Sequence, residues 1–347
     1  MAVRIKDIAS QLGVSDATVS LALSGNPRIS AATRERVLAA AKQLGYRPNT
    51  AARALRTEST KALGLIVSDV SNPFFGELAG EIERQAGASG YSVMLCNSDE
   101  DVERQDEYLS ELLGGRRADG VILVPVASST PALREAAAGR AKMVILDRPL
   151  TVPGTGEQAN YLRSLPTVRS DAAEALREAA EMLVALGHKR IGVVAPPQTT
   201  PLGRERRGEI RDALVTAGVS PRAVLVEEGD FREGSGHQAA KELLSRRSRP
   251  TAIVAADGLM GVGVLKAARE LGLRVPFDVS VVCFDDAPWF DLFDPPLTAI
   301  AQPVQALAEA AVQSFLALVA GIAPPDLAAC RPPCTLLRRA SCGLAPL

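Results

Sequence analysis

The run Ile5–Ser24 leaves the N-terminal end of this 347-residue chain very little choice of fold. Ala9, Gly13 and Val19 stand four and six residues apart, the spacing a tight helix–helix corner needs. A small residue lets two helices approach, glycine makes the turn, and a branched aliphatic fills the crossing. Ile8, Leu12, Val14 and Leu23 supply the apolar face. The pattern predicts a helix-turn-helix, whose second helix docks into a major groove, so the expected ligand is duplex DNA. Ser15 is a natural N-cap for that second helix, and Ser30 for a third running to about Leu44, which Gly45-Tyr-Arg-Pro48 ends. Thr50–Arg56 is rich in helix formers but well under the roughly 12 residues an isolated helix needs. It reads as a hinge that becomes helical when docked on DNA.

Charge supports the same division. Residues 1–60 hold nine Lys/Arg and four Asp/Glu, a net +5, whereas the rest of the chain is net −6. A basic head on a mildly acidic body fits a phosphate backbone at one end only. The first residues run straight into Arg4 and Lys6, so no signal peptide is expected, and no apolar run of about 18 residues predicts a membrane span. Five scattered cysteines fit a reducing cytoplasm. Cys330, Cys334 and Cys342 crowd the C-terminal end far from His188 and His237, so free thiols are expected there, with no metal and no cofactor.

From Lys61 onward short aliphatic runs alternate with helical stretches. Strands are expected at 62–67, 92–95, 120–124 and 143–146, then at 191–195, 223–226, 252–255 and 279–284. Helices fall between them, and a last helix (about 304–319) and strand (335–337) follow. The expected fold is an all-α helix-turn-helix head plus a doubly wound α/β body of two lobes, each with a parallel sheet. Residues 149–166, rich in Gly, Pro and Thr, read as the first crossover between the lobes. The expected boundaries are 1–48 for the head, 49–60 for the hinge and 61–347 for the body. Lobe 1 would take about 61–150 plus 295–322, and lobe 2 about 167–290 plus 323–347. Two such lobes leave a cleft at the carboxyl ends of their strands, the standard place for a small ligand.

Other classes are weaker. A solute-binding protein would share the body but not the head. An enzyme on this body would want a Gly-rich phosphate loop or a Gly-x-Ser-x-Gly turn, and neither is present. The Gly-x-Gly within Gly258–Gly263 completes no dinucleotide fingerprint.

The segments Ile5–Ser24 and Arg34–Asn49 resemble the head of the lactose-repressor (LacI/GalR) family. So does the body, in order, through Gly64-Leu-Ile-Val, Ser71-Asn-Pro-Phe-Phe75, Leu146-Asp-Arg-Pro149, Leu186-Gly-His-Lys-Arg-Ile191, Val281-Val-Cys-Phe-Asp-Asp286 and Gln302-Pro303. The resemblance implies a homodimeric repressor of a near-palindromic double-stranded DNA operator, gated by a small-molecule effector. That effector would be a sugar or sugar derivative, or alternatively a purine acting as corepressor. It places DNA contacts at Ser15, Asp16, Ala17, Thr18, Ser20 and Leu21. It adds Asn49, Arg53, Leu55 and Arg56 around the hinge, with Leu55 as a minor-groove wedge. Asp16 can accept from cytosine N4, or simply sit favourably at a helix N-terminus; Ala17 and Leu21 suit a thymine methyl. The effector would meet Phe74, Phe75, Asp147, Arg206, Phe231, Asp257 and Asp285, two aromatic plates among carboxylates and one guanidinium. Asp286 reads as a cap or turn residue. The 151–169 segment, with Tyr161 and Arg163, would either cover the cleft or form a loop. No heptad-repeat tail follows Leu337, so no tetramer of that kind is expected.

Overall fold

The computed structural model describes residues 3–23, 26–46, 59–324 and 331–346. It divides into two units, Met1–Thr60 and Lys61–Leu347. The first unit contains α1 (Ile5–Leu12), α2 (Asp16–Leu23) and α3 (Ala31–Gln43). Gly13 ends α1 in the left-handed region at φ 66°, which spares the corner a β-carbon clash. Ser15 Oγ accepts from Thr18 N–H (3.1 Å) and Ser30 Oγ from Thr33 N–H (3.2 Å), so both expected caps form. Ile8, Ala9, Val19, Ala22, Val37, Ala40 and Ala41 make the core, with Leu12, Val14 and Leu23 packed on it.

The second unit is two α/β lobes. The first lobe's strands are β1 (Ala62–Val67), β2 (Ser92–Asn97), β3 (Gly120–Leu123), β4 (Met143–Leu146) and β5 (Thr167–Val168). They form a parallel sheet in the order β2-β1-β3-β4-β5. Its helices are α4 (Pro73–Ala88), α5 (Val102–Leu109, prolonged by one π turn to Gly114), α6 (Pro131–Ala138) and α7 (Glu157–Arg163). The second lobe alternates α8 (Ala173–Ala185), β6 (Ile191–Ala195), α9 (Pro201–Thr216), β7 (Val224–Glu228), α10 (Glu233–Leu244), β8 (Ala252–Ala255), α11 (Gly258–Glu270), β9 (Ser280–Phe284) and β10 (Thr298–Ala301). The chain then returns to lobe 1 as α12 (Val304–Ala320) and ends in lobe 2 as β11 (Thr335–Leu337). The second sheet runs β11-β10-β9-β8-β6-β7, parallel except for the β10–β11 pair.

Near-continuous aliphatic strands follow from this layering, because both faces of each sheet are covered. In lobe 1, α4 and α12 bury Leu78, Ile82, Leu307, Ala311 and Phe315 on one face. The other face receives Leu112, Leu133 and Leu162. In lobe 2, α8 and α9 cover one face and α10 and α11 the other.

The lobe boundaries differ from those expected. The 149–166 segment is not the crossover: it carries α7 and delivers Thr167–Val168 to the edge of lobe 1's own sheet. Tyr161 there donates its hydroxyl to Ala141 O (2.6 Å), and Arg163 donates to Val152 O (2.8 Å) and Gly154 O (2.5 Å). The segment therefore closes on lobe 1 and does not cover the cleft. Likewise 298–301 pairs with β9 in lobe 2, so the chain leaves that lobe at Gln302 and not before residue 295. The two crossings are tied together where Ser170 Oγ donates to Gln302 Oε1 (2.6 Å).

Candidate effector cleft and DNA-reading helix

In α2 the apolar stripe is short. Val19 and Ala22 face the core, while Asp16, Ala17 and Leu21 are exposed and Thr18 and Ser20 half-buried. Helical spacing puts Asp16, Ala17, Ser20 and Leu21 on one outward arc opposite the core. Ser15 is committed to the cap and also pairs with Thr18 Oγ1 (2.9 Å). The expected contacts Asn49, Arg53, Leu55 and Arg56 lie outside the described residues.

The body brings all seven expected effector residues into one cavity. Phe74, Phe75, Asp147, Arg206, Phe231, Asp257 and Asp285 line it together with Asp69, Asn72, Glu100, Arg148, Leu202 and Gln302. Each lies at or just beyond the carboxyl end of a strand, or on the helix that follows one. That is the direct consequence of parallel strands feeding helices on both faces. Asn72 caps α4 by accepting from Phe74 N–H (3.1 Å). Pro73 at the first helical position fixes the entry, and together they aim the Phe74–Phe75 pair, edge to face at 5.0 Å, into the cleft. Both phenylalanines also belong to the lobe 1 core, so core and cleft roles coexist.

Three strand-end residues hold left-handed backbones: Asp147 at φ 63°, Phe231 at φ 69° and Asp285 at φ 68°. Aspartate tolerates this region, but for phenylalanine it is an outlier, and such outliers gather at functional sites. At the two aspartates the strand ladder fixes this backbone. Asp147 N–H donates to Val168 O (2.9 Å) and Asp285 N–H to Ile300 O (3.0 Å).

The electrostatics are acid-heavy, with five carboxyl groups against two guanidiniums. Asp257 caps α11 through Met260 N–H (3.0 Å), and its other oxygen accepts from Asn72 Nδ2 across the cleft (3.1 Å). Asp285 accepts from Gln302 Nε2 (2.8 Å). Burial pushes both carboxyls up, and the negative charge of Asp285 raises Asp257 further; Arg206 opposes the shift in each. Arg206 donates to Ala256 O (3.1 Å) and lies 3.9 Å over the Phe284 ring. Arg148 makes a bidentate pair with Glu100 (2.5 and 2.7 Å), while its Nε has no hydrogen-bond partner among the described residues. The cavity left between the lobes is about 10 Å³, room for a single water. Effector entry therefore needs the lobes to part. Asp286 is a structural residue: Arg339 grips both its oxygens (2.7 and 2.8 Å).

Six lining residues were not singled out from the sequence. Asn72, Arg148 and Gln302 stand inside the quoted motifs, and Asn72 carried a recognisable cap-then-proline signal. Asp69, Glu100 and Leu202 had no signal beyond lying near strand ends or a helix start.

Residues 4–49 match the family described as bacterial regulatory proteins, lacI family, and residues 180–342 match the periplasmic binding protein-like domain. The chain is 37% identical over 332 residues to the HTH-type transcriptional regulator MalR of Streptomyces coelicolor, covering 94% of this chain and 92% of MalR. Among solved structures it resembles the Lac repressor dimer bound to operator and the anti-inducer ONPF, with a TM-score of 0.82 and 28% identity over 98% of this chain and 99% of that one. It also resembles the complex of the regulator CelR with cellobiose, with a TM-score of 0.67 and 29% identity over 98% and 99%. A helix-turn-helix head, a two-lobed body and a cleft at the strand ends, matched along nearly the whole chain, make one assignment: the chain belongs to the lacI family of bacterial regulatory proteins and is a DNA-binding transcriptional regulator.

Proposed function

We propose that this chain is a cytoplasmic, homodimeric repressor whose hold on a near-palindromic operator is set by a neutral sugar bound between the lobes. The observation that carries the ligand class is the acceptor excess of the cleft. Glu100 and the Arg148 fork neutralise each other, which leaves the oxygens of Asp69, Asp147, Asp257 and Asp285 facing one buried Arg148 Nε and an Arg206 engaged with Ala256 O and an aromatic face. Such a cavity suits the hydroxyl donors of a polyol and repels a phosphate or carboxylate. Arg148 covers a face of Phe231 at 4.6 Å, which weighs against a purine stacked there. Phe74 and Phe75 supply the apolar floor for a sugar ring. Asp257 is fixed as a cap and Asp285 by Gln302, so both act as positioned acceptors and the cleft binds without turnover. The Lac repressor dimer bound to operator and an anti-inducer, and CelR in complex with cellobiose, support the same reading.

On this proposal Asp16, Ala17 and Leu21 read base edges, with Ser15, Thr18 and Ser20 nearer the backbone. Asn49, Arg53, Leu55 and Arg56 dock in the minor groove, and lobe closure is transmitted to the 49–60 segment. The test is fluorescence anisotropy on fragments from upstream of the chain's own gene, with neutral sugars, sugar phosphates and purines. A neutral sugar should change operator affinity and sugar phosphates should not. A response confined to purines or phosphorylated compounds would overturn the ligand class, and binding without sequence preference would overturn the operator claim.

A further inference from the structure

Two consecutive residues of lobe 1 face two consecutive residues of lobe 2 at the rim of the cleft. Asp99 and Glu100, between β2 and α5, both hold left-handed backbones at φ 57° and 58°. Successive left-handed residues with β-carbons are rare and persist only where surrounding bonds over-determine them. Here they do. Ser98 N–H and Oγ both donate to Val67 O (2.9 and 3.0 Å), Glu100 N–H donates to Ser68 O (2.8 Å), and Asp101 caps α5. The opposing turn is locked in the same way: Phe231 sits at φ 69°, Arg232 N–H donates to Asp230 Oδ1 (3.1 Å), and Asp230 N–H donates to Ser235 Oγ (2.9 Å).

We propose that this pair of turns is an interlobe latch: Asp99 holds Arg232 directly, Glu100 holds Phe231 through Arg148, and together they set the fraction of molecules with a closed cleft. Arg232 Nη2 donates to Asp99 Oδ1 (2.9 Å) and to Asp99 O (3.3 Å). Glu100 clamps Arg148, whose guanidinium lies 4.6 Å over the Phe231 ring. The inner contact is buried, whereas Arg232 and Asp99 keep 47% and 40% of their side-chain surface, so the outer contact is open to salt. Asp99 also meets Arg104 of its own lobe (3.4 Å). When the lobes part, the carboxylate keeps one cation, which lowers the cost of release and makes the latch reversible. Neither Asp99 nor Arg232 lines the cavity, so each acts on effector affinity as a positioning residue, through the closed fraction and not through ligand contacts.

The inference rests on the effector reading above, but its test needs no effector and no DNA. Small-angle scattering of the full chain reports lobe separation. The single tryptophan, Trp289, adds a local probe, because it lines a small cavity with Asn72 and Pro73 of the opposite lobe. Arg232→Glu and Asp99→Arg should each lower the closed-to-open ratio, by up to about five-fold for an exposed pair, raising the scattering radius and shifting Trp289 emission. The reversed pair carrying both changes should return to within about two-fold of the parent. Raising salt from about 0.05 to about 0.5 M should open the parent and, by screening the repulsion that Arg232→Glu introduces beside Asp99, shift that variant slightly the other way. Thermal melts check that each variant folds. Unchanged scattering and emission in both single variants, or no recovery in the reversed pair, would overturn the latch. So would an Arg104→Ala variant that opens the cleft as far as Arg232→Glu. If the latch fails while sugars still modulate operator binding, the effector reading stands; if sugars do nothing while the reversed pair recovers closure, the latch stands alone.

Discussion

Asp257 and Asp285 carry a pH dependence that follows from where they sit. Burial raises Asp257 to about 7 and Asp285 to about 6, far above an unfolded carboxyl near 4. The folded chain thus holds more protons than the unfolded one between these limits, and stability falls as pH rises from about 4 through about 7. Asp257→Asn keeps an acceptor for the Met260 N–H cap and removes the titration. Its melting temperature should gain on the parent's between about pH 4 and 8, by the equivalent of a few kcal/mol at most, on top of a pH-independent offset for the Asn72 hydrogen bond it loses. A constant offset across that range, read by melts at matched ionic strength, would mean the carboxyl does not titrate in the folded body. The same side chain defines what sequence could and could not give. A strand-end aspartate is legible from one segment, and so are Asp147 and Asp285. Arg148 and Gln302 stand in equally visible motifs, but their role depends on partners 48 and 17 residues away, a relation no local pattern encodes.

At the scale of elements, the alternation of aliphatic runs and amphipathic stretches located most strands and helices, because a doubly covered strand is apolar throughout. Three elements escaped it. Thr167–Val168 is two residues long, α7 lies in a Gly/Pro-rich stretch, and Thr298–Ala301 is four residues long and closely follows two prolines. Helix α9 starts at Pro201, since Thr200 caps it and proline takes the first position. The Gly-x-Gly within Gly258–Gly263 has a packing explanation. Helices α10 and α11 touch through Gly236 and Gly263. A β-carbon on Gly236 would fall 2.5 Å from the Met260 Cα, and one on Gly263 would meet the Glu233 carbonyl and the His237 N–H. Gly263→Ala should therefore push the helices apart and cost about 1–3 kcal/mol in denaturant unfolding. A neutral result would show that the close approach relaxes freely. Helix α2 makes a separate prediction. If its outward arc reads bases, Asp16→Ala should relax preference at one symmetric operator position by about 1–3 kcal/mol, scored by competition among single-base variants. A uniform gain in affinity for all sequences would reduce Asp16 to a charge that phosphates dislike.

For the whole molecule, the net +5 of residues 1–60 and the net −6 of the remainder separate two kinds of free energy. Operator affinity should be dominated by phosphate contacts. For about six to ten contacts from two heads, log K should fall with log salt at a slope of roughly −5 to −9. The effector's influence has a different origin. On the proposed reading a neutral sugar between the lobes exchanges no counterions with DNA itself, so its coupling to the operator should vary with salt far less than either operator affinity, through the latch and the hinge contacts alone. That coupling should lie near 1–3 kcal/mol, a change of about 5–150-fold in operator affinity. Linkage then fixes a second number: with two sugar sites on a dimer, saturating operator must change the two sugar affinities by factors whose product equals that change, in the same direction. Anisotropy with and without sugar gives the first factor, and calorimetric sugar titration with and without operator gives the second. Agreement between the two measurements is required by linkage at any one salt concentration, so it checks the titrations; a coupling that holds while operator affinity falls with salt is what a switch in the lobes predicts. A coupling that shrinks in step with operator affinity would instead place the sugar's effect in the phosphate contacts of the head, and the lobes would no longer be the switch.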